Sequence, residues 1–294
     1  MSKQPTKPEV GTTGHEWDGI QELNNPLPRW WVWIFYATIV WGVWYTIAYP
    51  AWPWFGGATT GYSGYSTRAL VADEIAAVET ANAGMTGQLA AIDLTTLAAN
   101  PDLNQFAVSA GAAVFRNNCA QCHGAGAAGV QAQGFPSLLD DDWLWGGTIE
   151  QIAYAVTHGI RNEQSPDSLW SQMPAFGEQL TREEIAAIVA HVQSISGQEA
   201  DATLLAAGSE LYLNNCAACH GDTGEGNRDL GAPTLNDAIW LYGGSAERLT
   251  ETIVNARFGV MPAWSNEWRA AGGGLTQAEI NAVAAYVHQL GGGE

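Results

Sequence analysis

Gly111-Ala-Ala-Val-Phe-Arg-Asn-Asn-Cys119-Ala-Gln-Cys122-His123 returns 97 residues later as Gly208-Ser-Glu-Leu-Tyr-Leu-Asn-Asn-Cys216-Ala-Ala-Cys219-His220. The same offset carries Pro136 to Pro233, Leu138 to Leu235, Asp140 to Asp237, Trp143 to Trp240 and Gly146-Gly147 to Gly243-Gly244. The register then slips. Met173-Pro174-Ala175-Phe176 matches Met261-Pro262-Ala263-Trp264 at an offset of 88, so the first copy carries about nine extra residues near 162–172. Each copy ends in an apolar helical pattern, 183–195 and 278–290. Thr181 and Thr276 are suited to cap these helices, with acidic residues in the first turn, and Gly197 and Gly291 to stop them. A unit of roughly 90 residues is too long for a solenoid repeat and about right for a small domain. The pattern predicts an all-α fold with two tandem helical domains, residues 105–198 and 199–294.

The chain has four cysteines, and all four lie in the two Cys-x-x-Cys-His units. That unit is the attachment signature of c-type haem: two thiols form thioethers to the porphyrin and the adjacent histidine reaches the iron. Cys119, Cys122 and His123 would hold one haem c, and Cys216, Cys219 and His220 a second. Two other readings of four cysteines are a two-disulfide framework and zinc. The immediate histidine after each pair argues against the first. The second expects pairs ~15–20 residues apart, far closer than these. For the sixth iron ligand, His/Met ligation is the usual cytochrome c choice. Of four methionines, Met173 and Met261 occupy equivalent repeat positions, each followed by Pro-Ala-aromatic. A lone methionine is ordinarily core filler; repetition of the whole string points to ligation. His158 is the competing ligand in the first unit, but its repeat counterpart is Asn255. His191 and His288 read as packing or surface residues. Trp143, Trp145, Trp240 and Tyr242 read as core or pocket walls, and Arg161 and Arg257 as partners for haem propionates by charge complementarity.

Ahead of the repeats lies a different kind of segment. No charged residue occurs between Arg29 and Arg68, and residues 30–49 are mostly apolar. Twenty such residues match a ~30 Å hydrocarbon core. Trp30, Trp31 and Trp33 mark one end, and Trp44, Tyr45, Tyr49, Trp52 and Trp54 the other, as interfacial belts do. Pro50 and Pro53 end the helix. A cleaved signal peptide would have a shorter apolar region nearer the start. Lys3, Lys7 and Arg29 precede the span, so the positive-inside rule places the N-terminus in the cytoplasm and the repeats outside. The predicted organisation is a cytoplasmic segment (1–29), the span and its exit (30–54), a Gly/Ser/Thr linker with Ala-rich helices (55–104), and the two repeat domains.

The balance of 11 basic against 30 acidic residues gives a net charge of −19. A surface this acidic argues against nucleic acid, whose phosphates need a basic face. It could steer a basic protein such as a c-type cytochrome, or simply be well solvated.

Each repeat alone resembles a class I cytochrome c domain. The whole chain resembles the dihaem subunit (subunit III) of bacterial cbb-type haem–copper cytochrome c oxidases. The likeness rests on Asp18-Gly19-Ile20 with Glu22, on Asn25-Pro26-Leu27-Pro28-Arg29-Trp30-Trp31 entering the span, and on the two haem motifs. It rests also on Asp140-Asp141-Asp142-Trp143-Leu144-Trp145-Gly146-Gly147 and Trp240-Leu241-Tyr242-Gly243-Gly244. The resemblance implies a single-pass subunit of the bacterial inner membrane with periplasmic haem domains and no catalytic site of its own. Electrons from a periplasmic cytochrome c would enter here and pass through a monohaem cytochrome subunit to the catalytic subunit. It also implies that Met173 and Met261 are the axial methionines; whether each serves its own haem or that of the other unit is open on spacing. Two alternatives share the haem features: a membrane-tethered electron shuttle for a dehydrogenase, and a dihaem peroxidase.

Overall fold

The computed structural model describes residues 10–269 and 272–294. Lys3 and Lys7, used above for orientation, lie outside the described residues. The chain divides into two compact units, one ending at Ala81 and one running from Asn82 to Glu294.

In the first unit, β1 (Thr12–Trp17) and β2 (Ile20–Leu23) form an antiparallel hairpin in which Trp17 pairs with Ile20. The two loop residues, Asp18 and Gly19, both have positive φ, 51° and 84°. An Asp-Gly pair is suited to such a tight turn because its twist matches that of the strands. α1 follows, Arg29–Ala48, a helix of 20 residues long and apolar enough to cross a membrane. Its aromatic side chains are exposed along the length, as a lipid-facing helix requires. The segment expected to be a loose linker instead folds back on the helix end. Tyr62 N donates to Ile47 O (3.3 Å) and Ser63 N to Ala48 O (3.0 Å), satisfying carbonyls that the last turn leaves open. Gly61 makes this possible: at φ 67° a Cβ there would lie 2.3 Å from Ala48 O. A minimal ribbon, β3 (Pro53–Trp54) with β4 (Gly57–Ala58), lies between. α2 (Thr67–Ala91) runs from the first unit into the second.

The second unit is helical. Asn100 and Pro101 open α3 (Pro101–Asn118). Asn100 accepts from Leu103 N, and Pro101 occupies the first turn, where its missing N–H costs nothing. The remaining α-helices among the described residues are α4 (Ala120–His123), α5 (Ile149–His158), α6 (Arg182–Ile195), α7 (Leu205–Asn215), α8 (Ala217–His220), α9 (Ala246–Asn255) and α10 (Gln277–His288). Thr181 and Thr276 cap α6 and α10 as expected. Each forms a reciprocal capping box, with Glu184 and Glu279 respectively.

The last helix of each repeat packs on the other repeat. α10, from the second repeat, lies on α3 and α5 of the first. α6, from the first, lies on α7 and α9 of the second. The cores show the same exchange. Val114, Phe115, Ile152 and Val156 cluster with Trp264, Leu275, Ile280 and Val283. Phe176, Ile185, Ile188 and Val192 cluster with Tyr212, Ala217, Leu249 and Ile253. The packing units are thus composed differently from the sequence units 105–198 and 199–294. A third cluster, Leu89, Leu97, Leu103, Ala107, Ala282 and Ala285, seats the end of α2 against α3 and α10. There the buried Asn281 side chain donates to Leu89 O at 2.8 Å.

Each helix crossing is built on a glycine. A Cβ on Gly111 would lie 2.1 Å from Ala282 O, and one on Gly208 2.1 Å from Ala187 O. An aromatic pair sits beside each crossing: Phe115 on Tyr286 (5.5 Å between centroids) and Tyr212 on His191 (4.9 Å). Since backbone atoms block the added methyl, Gly111→Ala and Gly208→Ala should each lower stability by about 1–3 kcal/mol. Gly84→Ala, at an open position of α2, should instead raise it by about 0.5–1 kcal/mol through helix propensity. Thermal unfolding followed by far-ultraviolet circular dichroism checks both signs.

Candidate haem sites

Both Cys-x-x-Cys-His units fold alike. α3 and α7 end at Asn118 and Asn215, and the cysteine that follows caps a one-turn helix, α4 or α8, ending at His123 or His220. A glycine with strongly positive φ, Gly124 (81°) or Gly221 (79°), then turns the chain away. The loop returns so that Pro136 O lies 3.0 Å from His123 Nδ1 and Pro233 O lies 2.9 Å from His220 Nδ1. A histidine that donates its Nδ1 proton to a carbonyl keeps Nε2 free, oriented and more basic toward a metal. Burial lowers the pKa of both imidazoles, against the opposing pull of these bonds, which favours the neutral, ligating form.

All four cysteines are free. Burial first, then repulsion from the neighbouring cysteine, pushes Cys119 and Cys216 each up to about 11. Such thiols stay protonated near neutral pH, and thioether formation needs no lasting charge at sulfur. The residues present therefore fit a covalently attached haem. Trp145 Nε1 and Trp268 Nε1 are buried with no hydrogen-bond partner, donors available to an acceptor the chain does not supply.

The methionine strings carry the exchange of helices into the sites. Met261 packs against the cluster that includes Cys119, and Met173 against the one that includes Cys216. Backbone bonds hold the strings there. Trp264 N donates to Val156 O (2.9 Å) at the end of α5, and Phe176 N to Ile253 O (3.0 Å) at the end of α9. Ile160 and Met261 exchange both backbone bonds, at 2.9 and 3.0 Å.

Other aromatic residues cross between the repeats. Gly134 lies against the Tyr242 ring and Gly231 against the Trp145 ring, with no room for a Cβ at either. Trp143 Nε1 donates to Gly292 O, and Trp143 and Trp240 line opposite clusters. His158 has partners of its own. Its Nδ1 lies 2.9 Å from Oγ of the buried Ser165, and its ring packs on Tyr154 (4.5 Å) and Trp268 (6.1 Å). His191 packs at a tilt on Tyr212, and His288 Nε2 bonds Glu294 O at 2.8 Å. Arg257 is held by Glu251 at 2.9 Å and lies 4.8 Å over Tyr242. The carbonyls of Pro136 and Pro233 escaped the sequence reading of the sites, although both prolines recur at the repeat offset, 13 residues after the histidine.

Comparison with known proteins bears on the whole chain. Residues 9–56 match the model described as the N-terminal domain of cytochrome oxidase-cbb3, FixP. Residues 106–192 match cytochrome c oxidase, cbb3-type, subunit III, and residues 205–291 match cytochrome c. Two cytochrome c domains behind a helix of membrane-spanning length define a haem-c-binding electron-transfer protein. The cbb3-type cytochrome c oxidase subunit CcoP of Cereibacter sphaeroides is 56% identical, with both chains covered in full. That of Rhodobacter capsulatus is 54% identical, again over both full lengths. The subunit FixP of Sinorhizobium medicae is 49% identical over 97% of this chain and 96% of its own. The chain belongs to the CcoP/FixP family, subunit III of the cbb3-type cytochrome c oxidases.

An acidic cluster links the loops of the two sites. Burial, then Asp237 and Asp140, push Asp142 up to about 6, with Arg228 pulling the other way. A carboxyl raised above its unfolded value of about 3.9 is destabilising once charged. The stability it contributes is full below about pH 4 and lost as pH rises through about 6. Asp142→Asn should therefore gain on the parent by about 1 kcal/mol between pH 4 and pH 7.5, after discounting for partial exposure. Unfolding at both pH values measures this, and a pH-independent difference would remove the cluster from the account.

Proposed function

We propose that this subunit receives electrons from a periplasmic cytochrome c and passes them between two haems c toward the catalytic subunit, by way of a monohaem cytochrome subunit. In this reading Cys119, Cys122 and His123 attach and ligate one haem, and Cys216, Cys219 and His220 the other. The N-terminus lies in the cytoplasm, α1 anchors the chain in the inner membrane, and both haem domains face the periplasm. Bound haem supplies one-electron redox chemistry. The chain would attach it through the four cysteines and fix the proximal imidazoles through Pro136 and Pro233. The subunit needs no catalytic residue of its own for this role.

The observation that carries the reading is the exchange of methionine strings. Met261 packs with the haem motif of His123 and Met173 with that of His220, where each would supply a thioether to the iron, and His/Met pairing raises a haem's potential. A methionine candidate for both irons also speaks against a peroxidase, which needs an open or displaceable position. Net acidity suits a basic donor cytochrome, whose encounter would weaken with salt.

Met261→Ala should lower the potential of the haem bound at Cys119 and Cys122, and Met173→Ala that of the haem bound at Cys216 and Cys219. Covalent attachment should persist in both variants. Redox titration, with each haem assigned by NMR through its own proximal histidine, tests this. The opposite assignment would return each methionine to its own repeat, and unchanged potentials would return them to packing. Purification of the native complex tests the role itself: isolation with a dehydrogenase and no haem–copper subunit would overturn it.

A further inference from the structure

Arg161 ties the two methionine strings to each other. Its Nε donates to Gly259 O at 2.6 Å, two residues before Met261. Its Nη1 donates to Ser171 O at 3.4 Å, two residues before Met173. The first bond is short and the second long, so the guanidinium spans both strings and leans on the Met261 side.

The backbone around Arg161 is shaped for this task. Arg161 N donates to Leu169 O (2.8 Å), while the preceding Ile160 is paired in both directions with Met261. Arg161 itself adopts φ 50°, a left-handed conformation that side chains other than glycine enter only at a cost. The guanidinium carbon lies 5.7 Å from the Phe258 ring, and Phe258 in turn meets Trp170 edge-on at 5.9 Å. Among the described residues no carboxylate pairs with Arg161; the three ion pairs involve Arg228, Arg248 and Arg257. Its hydrogen-bonded partners are backbone carbonyls, one from each string.

The tie is present once. At the repeat offset Arg161 corresponds to Phe258, and the nearby Arg257 is engaged by Glu251. Ser171 belongs to the extra residues of the first repeat, which the second lacks.

We propose that Arg161 is a positioning residue for both haem irons at once, its forked guanidinium setting the approach of Met261 and Met173 together. This rests on the reading of those two methionines as sixth ligands. A planar fork with five donors can reach two carbonyls, whereas an ammonium on a flexible stem is a single point of donation. Loss of the fork therefore loosens both thioether ligands, and a lysine restrains one string only.

The full-length protein carrying Arg161→Met, Arg161→Lys, Met173→Ala or Met261→Ala is compared with the parent. Two quantities are read on the haem-loaded protein: the methionine-to-iron charge-transfer absorption of the ferric state, and the midpoint potential of each haem. Arg161→Met is expected to lower both potentials together and to weaken the charge-transfer band of both haems, with covalent haem content unchanged. Arg161→Lys is expected to restore the haem served by Met261, held by the shorter bond, and to leave the other shifted. An Arg161→Met protein with neither haem or only one haem shifted would overturn the tie. Full recovery of both haems in Arg161→Lys would assign the effect to charge alone and overturn it equally. If Arg161→Met loses haem during maturation, Arg161→Lys decides by the same criterion. The alanine variants separate the two levels: if neither removes a charge-transfer band, the ligand reading has failed, independently of Arg161.

Discussion

Two glycines let two helix backbones touch, and the geometry of both haem sites follows from that approach. At Gly111 and Gly208 the facing carbonyls, Ala282 O and Ala187 O, occupy the space a side chain would take. Contact this close aligns α3 with α10 and α7 with α6, so that an aromatic pair closes each crossing, buried Phe115 on half-buried Tyr286 and buried Tyr212 on half-buried His191. The Cys-x-x-Cys-His turn begins where α3 or α7 ends, so the crossing also sets where each histidine points. The string leading into α10 or α6 carries the methionine. Its distance from that histidine is governed by the same contact. Helix propensity contributes little here; short helices are marginal alone and stand through tertiary packing.

Much of this was legible in the sequence because repetition is a strong signal. The haem turns, the capping threonines, the stop glycines and the methionine strings all recur in the same order, and the structure shows the capping boxes and turns where the pattern puts them. The membrane-length helix was legible from charge depletion and aromatic belts alone. The β1–β2 hairpin was legible in principle, since Asp18-Gly19 is a hairpin turn pair, but its strands lack the alternating apolar face that usually reveals one. The folded-back segment after α1 read as a linker because composition reports flexibility and does not report which carbonyls are left open. The acceptors for His123 and His220 were not legible as such. They are backbone carbonyls, and a backbone atom leaves its mark only through the loop that delivers it.

Which helix pairs with which could not be read from repetition, for a plain physical reason. Two copies of one unit present nearly the same surfaces, so α6 and α10 each fit α3 or α7 by pattern. Chain connection breaks the tie. α6 and α7 are separated only by residues 196–204, and a short connection makes sequential helices the natural antiparallel neighbours, with little loop entropy lost. Once α6 occupies α7, α3 is left with an uncovered apolar stripe and α10 with no other partner. The long-range pair follows from the short-range one.

Exchange then has a consequence that independent tandem domains would not share. Neither repeat holds both a histidine and the methionine that packs against its haem motif, so each site requires residues from both copies. The copies also differ where they meet. The first has about nine more residues after α5, and that excess supplies Ser165 to His158, Leu169 to the backbone of Arg161, and Ser171 to its guanidinium. A perfectly duplicated chain would place Phe258-type residues on both sides and leave the two strings unconnected. The insertion breaks the symmetry of the duplication at the point where the two sites come under common control, and it does so with backbone carbonyls, which no side-chain substitution in either string removes.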